Sequence, residues 1–590
     1  MAALRHRRGL RVDSVLEMIQ NSDFEDDFSS ESDLESGDDV PLARINQRRA
    51  DSDEELDLTQ DLGEQIIEDE IDHENIEWNN DINSRDSSNI RFRGKPGLSE
   101  NAIEELGGKE NLPVSTPGQL FGLLFTHALL VMICQQTNLY AQQEREASPG
   151  QHKCQWTEVT PSELKSWLGI IFTMGLVIKA NLRDYWTSNW LTSTSGFRKV
   201  MSRNRFLSIL RYIHFVDNSS AVTDRNNPAY DKLYKVRPVL DRIVQKIRTV
   251  YAPKRELSLD ESMVACKSRC SFKQFMRDKP IRWGLKLFMI SESVTGYVCN
   301  LKVYTGKEKE GSDNGATHDV VLSVTSPFLN KGHHLYMDNY YTSVPAFQEL
   351  LRRSTPACGT VRANRKGLPN TVNAKFPVVK ELKRGDSIHM YKGSLTAVTW
   401  KDKKTVTLLT SLPVEETSDI VQRSAKVSGK WEKINVTRPK TVTLYNTYMG
   451  GADLSDQRIN AHKRMMKGVV WYLKLFWFLL DTARVNSYIL YKKTSGKSMK
   501  LKDFTCHLAE ELIGQNVKEV TSGRPLATLP TCVRSNRDLN HAPAMSEDRK
   551  RSACAVHLQR VDTIYICTVC KVRMCPAPCF YRYHYMVDYT

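Results

Sequence analysis

The chain has 590 residues, 40% of them hydrophobic and 26% charged, with a formal net charge of +14. No apolar run reaches the ~18–20 residues of a membrane span, and no basic-then-apolar segment opens the chain, so neither a membrane nor a secreted protein is expected. The charge is divided: residues 1–100 carry −16 and residues 101–590 carry +30, which points to a polyanionic partner, nucleic acid first.

Residues 12–100 are poor in aromatics and rich in Asp, Glu, Ser and Asn. Such a stretch buries too little apolar surface to offset chain entropy, so residues 1–115 are read as a disordered acidic region. Ser29, Ser30, Ser32 and Ser52 precede acids and resemble acid-directed kinase sites, where phosphate would deepen the negative charge. Arg5-His6-Arg7-Arg8 is too small to read as a localisation signal.

From 116 the texture becomes helical and basic. Gln119–Tyr140 and Ser162–Thr173 are apolar at helical spacing, with Ser162 a candidate N-cap. Arg203–Phe215 and Pro238–Tyr251 follow, the second with its proline in the tolerated first turn. The period then switches to two. Leu257–Asp260 reads as a short strand, Trp283–Ser291 and Tyr297–Tyr304 as a hairpin, and His334–Asp338 as another short strand, with a helix over Asp319–Thr325 between them. Strands mixed with helices in this order predict an α/β core. Leu395–Trp400 and Thr405–Leu409 form a small β-rich unit inside 365–439. Val470–Lys493 is a long apolar helix. A basic stretch near 523–551 leads to a Cys-rich tail.

Three acids stand at informative places. Asp260 and Asp338 end strands, and Asp453 follows a Gly-Gly pair and heads a helix, with Asp456 on the same face at i+3. Acids converging from two strand ends and a helix suit Mg²⁺, which takes hard oxygen ligands, and two such ions can drive phosphodiester chemistry. Asp at a strand end is also an ordinary turn residue, and Gly-Gly-x-Asp an ordinary helix start, so each acid alone decides nothing.

As an ordered set the surrounding motifs are specific. Asp260-Glu261-Ser262-Met263, Lys279-Pro280-Ile281-Arg282-Trp283-Gly284-Leu285-Lys286, Tyr336-Met337-Asp338-Asn339-Tyr340-Tyr341-Thr342-Ser343, Gly359-Thr360-Val361-Arg362-Ala363-Asn364-Arg365-Lys366-Gly367 and Tyr445-Asn446-Thr447-Tyr448-Met449-Gly450-Gly451-Ala452-Asp453-Leu454-Ser455-Asp456-Gln457 resemble the piggyBac transposase family, in its order, from about 116 to the end. The resemblance implies an RNase H-like catalytic core (255–364 and 440–456) with Asp260, Asp338 and Asp453 as a DDD triad and Asp456 as a supporting acid. It implies a discontinuous, mainly helical dimerisation and DNA-binding domain (116–254 and 457–535) and a β-rich insertion domain (365–439). It implies two Mg²⁺ ions per active site, a homodimer, and double-stranded DNA as partner: transposon terminal inverted repeats and a TTAA target. The family nicks each end to free a 3′-OH, passes through a hairpin on the transposon end, and joins the ends into TTAA. A nuclear location follows from such a role.

Lys273, Arg277, Lys279, Arg282 and Lys286 alternate with aromatics, and Arg362, Arg365, Lys366, Lys463 and Arg464 follow the acids; all are candidate phosphate contacts. Trp471 matches a family position that stacks on an unpaired flanking base, but it also begins an apolar helix and could equally be core. Five cysteines crowd the last 37 residues. Cys554, His557, Cys567, Cys570, Cys575, Cys579 and His584 have the paired soft-ligand spacing of two interleaved zinc sites, a cross-brace domain at 550–590 with one of eight ligands missing. Two rival readings stay open: a domesticated sequence-specific DNA-binding protein without recombinase activity, and a chromatin-binding adaptor built on the zinc tail.

Overall fold

The computed structural model describes residues 77–84, 90–147, 156–277, 279, 281–306, 314–373, 375–413, 417–427, 430–463, 470–517, 538–557 and 560–586. The acid-flanked serines, the basic Arg5–Arg8 stretch and Arg464 lie outside them. Among the described residues no single helix is long and apolar enough to cross a membrane.

Residues 90–115, read above as part of a disordered region, are instead built into the fold. β1 (Gly97–Leu98) pairs antiparallel with β2 (Tyr251–Ala252). Ser99 caps α1 (Glu100–Glu105), its hydroxyl accepting from the Ala102 amide, and Ala102 and Leu106 are buried in the main core. The acidic composition before them masked these few anchoring residues.

The helical block contains α2 (Pro117–Leu124), α3 (His127–Ala147), α4 (Pro161–Leu176), α5 (Ser195–Val200), α6 (Arg203–Tyr212) and α7 (Arg237–Val250). The single helix expected over 119–140 is two helices bent by 66°. Phe125 leaves helical geometry, and the Thr126 hydroxyl accepts from the Leu129 amide to start the second helix. The cap of α4 is Thr160, one residue before Pro161, and not Ser162.

The main sheet is built from β3 (Glu256–Ala265), β4 (Gln274–Phe275), β5 (Trp283–Glu292), β6 (Val298–Val303), β7 (His334–Met337), β8 (Ala357–Thr360), β9 (Ser387–Lys392), β10 (Leu395–Lys401) and β11 (Thr405–Thr410). Its order is β4-β5-β3-β7-β8-β11-β10-β9, with β6 also on β5. β5 runs antiparallel to both β3 and β6, whereas β3, β7 and β8 run parallel, with α8 (Ala316–Thr325) and α9 (Val344–Arg352) in the crossovers. The strands at 387–410, expected to be a separate insertion, continue this sheet through β11 against β8. The ribbon of β12 (Ser418–Val427) and β13 (Lys430–Pro439) alone forms its own sheet in that segment.

The chain then returns to the core as α10 (Lys440–Tyr448), α11 (Gly451–Asn460), α12 (Trp471–Ser495) and α13 (Leu501–Ile513). One continuous apolar core joins the early helices, the sheet, α12 and α13. Arg484 of α12 is wholly buried; it pairs with Asp481 and donates to the Thr505 hydroxyl and the Ala461 carbonyl, tying α11, α12 and α13 together. The last described stretch holds β14 (Pro543–Met545), β15 (Ser552–Ala553), β16 (Asp562–Thr563), β17 (Tyr565–Cys567) and α14 (Cys579–Tyr585).

Candidate active site

Register brings the first two acids together. Leu259 of β3 is paired in parallel with Met337 at the end of β7, so the next residues, Asp260 and Asp338, stand side by side, one strand spacing of about 4.8 Å apart. Asp260 does not end its strand, as the sequence suggested: β3 runs on to Ala265, and Asp260 is 1% exposed in its middle. Asp338 opens a tight turn, its carboxylate accepting from the Tyr340 amide at 3.0 Å and its carbonyl from the Thr342 hydroxyl at 2.8 Å.

The helix that brings the later acids lies directly on the sheet. Gly451 makes this possible, because a Cβ there would stand 2.5 Å from Ser258 Oγ and 2.8 Å from Ser293 Cα. Ser455, buried, bonds Ser291 Oγ at 2.9 Å and the Gly296 carbonyl at 2.6 Å. Arg458 donates to the Thr295 carbonyl. Asp456 then accepts from Ser262 Oγ at 2.6 Å. Burial pushes its pKa up to about 7, against the lowering effect of that hydrogen bond.

The tightest carboxylate group is Asp260, Glu261 and Asp338, with oxygens all within 4.8 Å of one another. Asp453 does not join it; it stands on α11, near enough to raise the pKa of Asp456. Glu261 was not expected here, since strand alternation turns neighbours to opposite faces. β3 outruns β7 beyond Leu259, and the long Glu261 side chain reaches the turn after Asp338, where Tyr341 donates to it at 3.1 Å. Burial and the Asp260 charge both raise its pKa.

Two of the expected DNA-contacting lysines sit among these acids instead of out on the surface. Lys279 Nζ is 3.7 Å from Glu261 Oε1. Lys286 lies 4.4 Å from the Tyr340 ring centre; burial lowers its pKa, while Glu261, Asp338 and Asp260 raise it. Arg362 and Arg365 brace the turn after Asp338, through the Asn339 side chain at 3.1 Å and the Tyr340 carbonyl at 2.5 Å. Arg277, Arg282 and Lys366 are exposed, Lys273 is half-buried against the Trp283 ring, and Lys463 donates to Asn460. Trp471 is half-buried, edge-on to Phe272 at 5.3 Å.

The Cys-rich tail closes into two groups: Cys554, His557, Cys575 and Cys579, and His541, Cys567, Cys570 and His584. His541 thus stands where the sequence left one of eight positions open, outside the expected 550–590 boundary and brought in by β14 pairing with β17. His541 Nδ1 is 3.4 Å from both Cys567 Sγ and Cys570 Sγ, and His557 Nε2 is 3.0 Å from Cys579 Sγ. A tetrahedral zinc with ordinary bond lengths separates its N and S ligands by about 3.5 Å. The amides of Cys570 and Cys575 donate to Cys567 and Cys554 sulfurs, as they would to thiolates on a metal.

Comparison with known proteins agrees with this layout. The family described as Transposase IS4 matches residues 116–488. Human "PiggyBac transposable element-derived protein 3" is 28% identical over 484 residues, covering 80% of this chain and 76% of its own. Human "PiggyBac transposable element-derived protein 2" is 26% identical over 497 residues, covering 82% and 78%. The fold is shared with a piggyBac transposase solved by cryo-EM as a synaptic complex with hairpin DNA: TM-score 0.61, 23% identity, 82% of this chain and 97% of that one. With the family match spanning more than half of its residues, the chain belongs to the piggyBac transposase family.

Proposed function

We propose that the chain is a cut-and-paste DNA transposase, with Asp260, Asp338 and Asp453 as its metal-binding carboxylates and Asp456 as their support. The observation that carries this is the parallel pairing of β3 with β7, which sets Asp260 beside Asp338 next to the helix bearing Asp453 and Asp456. The order β6-β5-β3-β7-β8, three antiparallel strands and then two parallel ones, supports an RNase H-like reading of the core. The clustered carboxylates of Asp260, Glu261 and Asp338 offer the hard oxygens that fit Mg²⁺, and Asp453 would add its own from α11. Two such ions, when bound, supply nucleophile activation and stabilisation of the leaving oxygen.

The chain's own residues hold that site in shape. Asp456 and Ser262 fasten α11 to β3. Tyr341 and Lys279 hold Glu261, and Arg362 and Arg365 hold the turn after Asp338. Lys286 and Lys279 offset the repulsion among the acids. Cleavage through an end hairpin, joining at TTAA, action as a homodimer in the nucleus, and two structural Zn²⁺ ions in the tail belong to the same proposal.

Excision of a plasmid-borne element with cognate ends flanked by TTAA tests it. Wild type is expected to leave restored TTAA, and Asp260→Ala, Asp338→Ala and Asp453→Ala to fall to background. Absence of excision by wild type, with specific end binding retained, would replace this reading with a domesticated DNA-binding protein.

A further inference from the structure

Phe275 and Trp283 are large aromatics that the fold leaves half uncovered, each 52% exposed. They face each other across the two-residue pairing of β4 with β5, with ring centres 4.9 Å apart. The pairing is closed by the Met276 amide on the Arg282 carbonyl at 2.8 Å, so the two rings are presented on regular backbone. Cations are near the pair: Lys273 Nζ lies 5.2 Å from the Trp283 ring centre, and Arg277 and Arg282, both exposed, are close neighbours of Phe275 and Trp283 in the sequence. Among the described residues, none of these three has a carboxylate partner. An apolar contact between proteins would not call for a cation stacked on the ring and exposed arginines nearby, whereas a nucleotide offers a flat ring and a phosphate together.

The pair is also placed on the way to the acids. Met289 is the β5 partner of Asp260, and Trp283 lies six residues along the same strand, about 20 Å away. Lys286 stands between them. By contrast, Trp471 has one edge against Phe272 and less surface to offer.

We propose that Phe275 and Trp283 form a stacking platform for an unpaired base of a DNA strand whose phosphates are held by Lys273, Arg277 and Arg282. The inference rests on the DNA-processing reading above and adds to it a site for single-stranded flanking DNA. Base-on-aromatic stacking tolerates any sequence, so no terminal repeat is needed to detect it.

The test uses the full chain with two probes: a blunt duplex, and the same duplex with a short single-stranded extension carrying 2-aminopurine. Wild type is expected to bind the extended probe about 5- to 150-fold more tightly and to quench its fluorescence. Phe275→Ala/Trp283→Ala is expected to bring that ratio near one while blunt-duplex affinity stays, and Phe275→Tyr/Trp283→Phe to restore it. Each single alanine variant, at an exposed position, guards against misfolding of the double. A ratio unchanged in the double variant overturns the platform, as does a wild type without preference. A loss of self-association in the double variant with the ratio intact overturns it too, and assigns the pair to contact between copies. A wild type that keeps the ratio but excises nothing leaves the platform standing and removes the transposase reading.

Discussion

Asp456 is an acid whose surroundings favour its neutral form. Burial raises its pKa from 3.8 to about 7, while Ser262 donates to it. A folded-state pKa above the unfolded one means that the folded protein binds more protons between these values. Asp456's own contribution to the stability of the metal-free protein is therefore fully present below about pH 4 and is lost as pH rises to about 7, by at most about 4 kcal/mol. Asp456→Asn keeps the acceptor for Ser262 and should flatten that part of a thermal-midpoint-against-pH curve. An unchanged slope in the variant would remove Asp456 as its source. The same neighbourhood shows what single residues disclose in a sequence. Asp260, Asp338, Asp453 and Asp456 were singled out by the ordered motifs around them, and the structure brings Asp260 and Asp338 together while Asp453 stays outside their group. Glu261 was not singled out, because alternation argues against two adjacent strand residues reaching one place, and only the early end of β7 allows it.

At the scale of elements, α11 depends on a close approach that only glycine permits. Gly451→Ala should cost about 1–3 kcal/mol of stability, since its neighbours are Ser258 Oγ at 2.5 Å and the Ser293 Cα at 2.8 Å, the latter unable to move aside. Denaturant unfolding measures this, and a neutral result would mean that α11 can lift away from the sheet. In the tail, His541→Ala should lower bound zinc from two to about one per chain by elemental analysis, and His541→Cys should restore it. Two zincs retained in the alanine variant would exclude His541 as a ligand. Sequence spacing missed this histidine because its partners begin 26 residues later and the intervening pair, Cys554 and His557, belongs to the other group. The long helix α12 was legible from its apolar run, and the hairpin of β5 and β6 from its turn, whereas the bend between α2 and α3 was not. The membership of β9 to β11 in the main sheet was not, because hydrophobic alternation reports a strand but never its neighbour.

Across the whole molecule, charge is segregated: −16 over residues 1–100 and +30 over the remainder. Contacts to phosphate release counterions, so affinity for a duplex should fall linearly on a log–log plot against salt. Removing residues 1–76 should raise duplex affinity most at low salt and little at high salt, where the acidic stretch is screened. Equal affinities for the two chains at low salt, read by fluorescence anisotropy, would show that the stretch does not compete with DNA.

The hydrogen bond from Ser262 to Asp456 spans 194 positions of chain. A ribosome adding about 5–20 residues per second needs on the order of 10–40 s to cover that distance. During that interval Asp260 and Asp338 can already be paired through β3 and β7, while α11 has yet to be made. Any product that stops after Asp338 and before Gly451 carries the strand acids but never the helix acids. Under the proposed assignment, an unfinished translation product is thereby denied a complete set of acids, and competence to cut is delayed until most of the polypeptide has emerged.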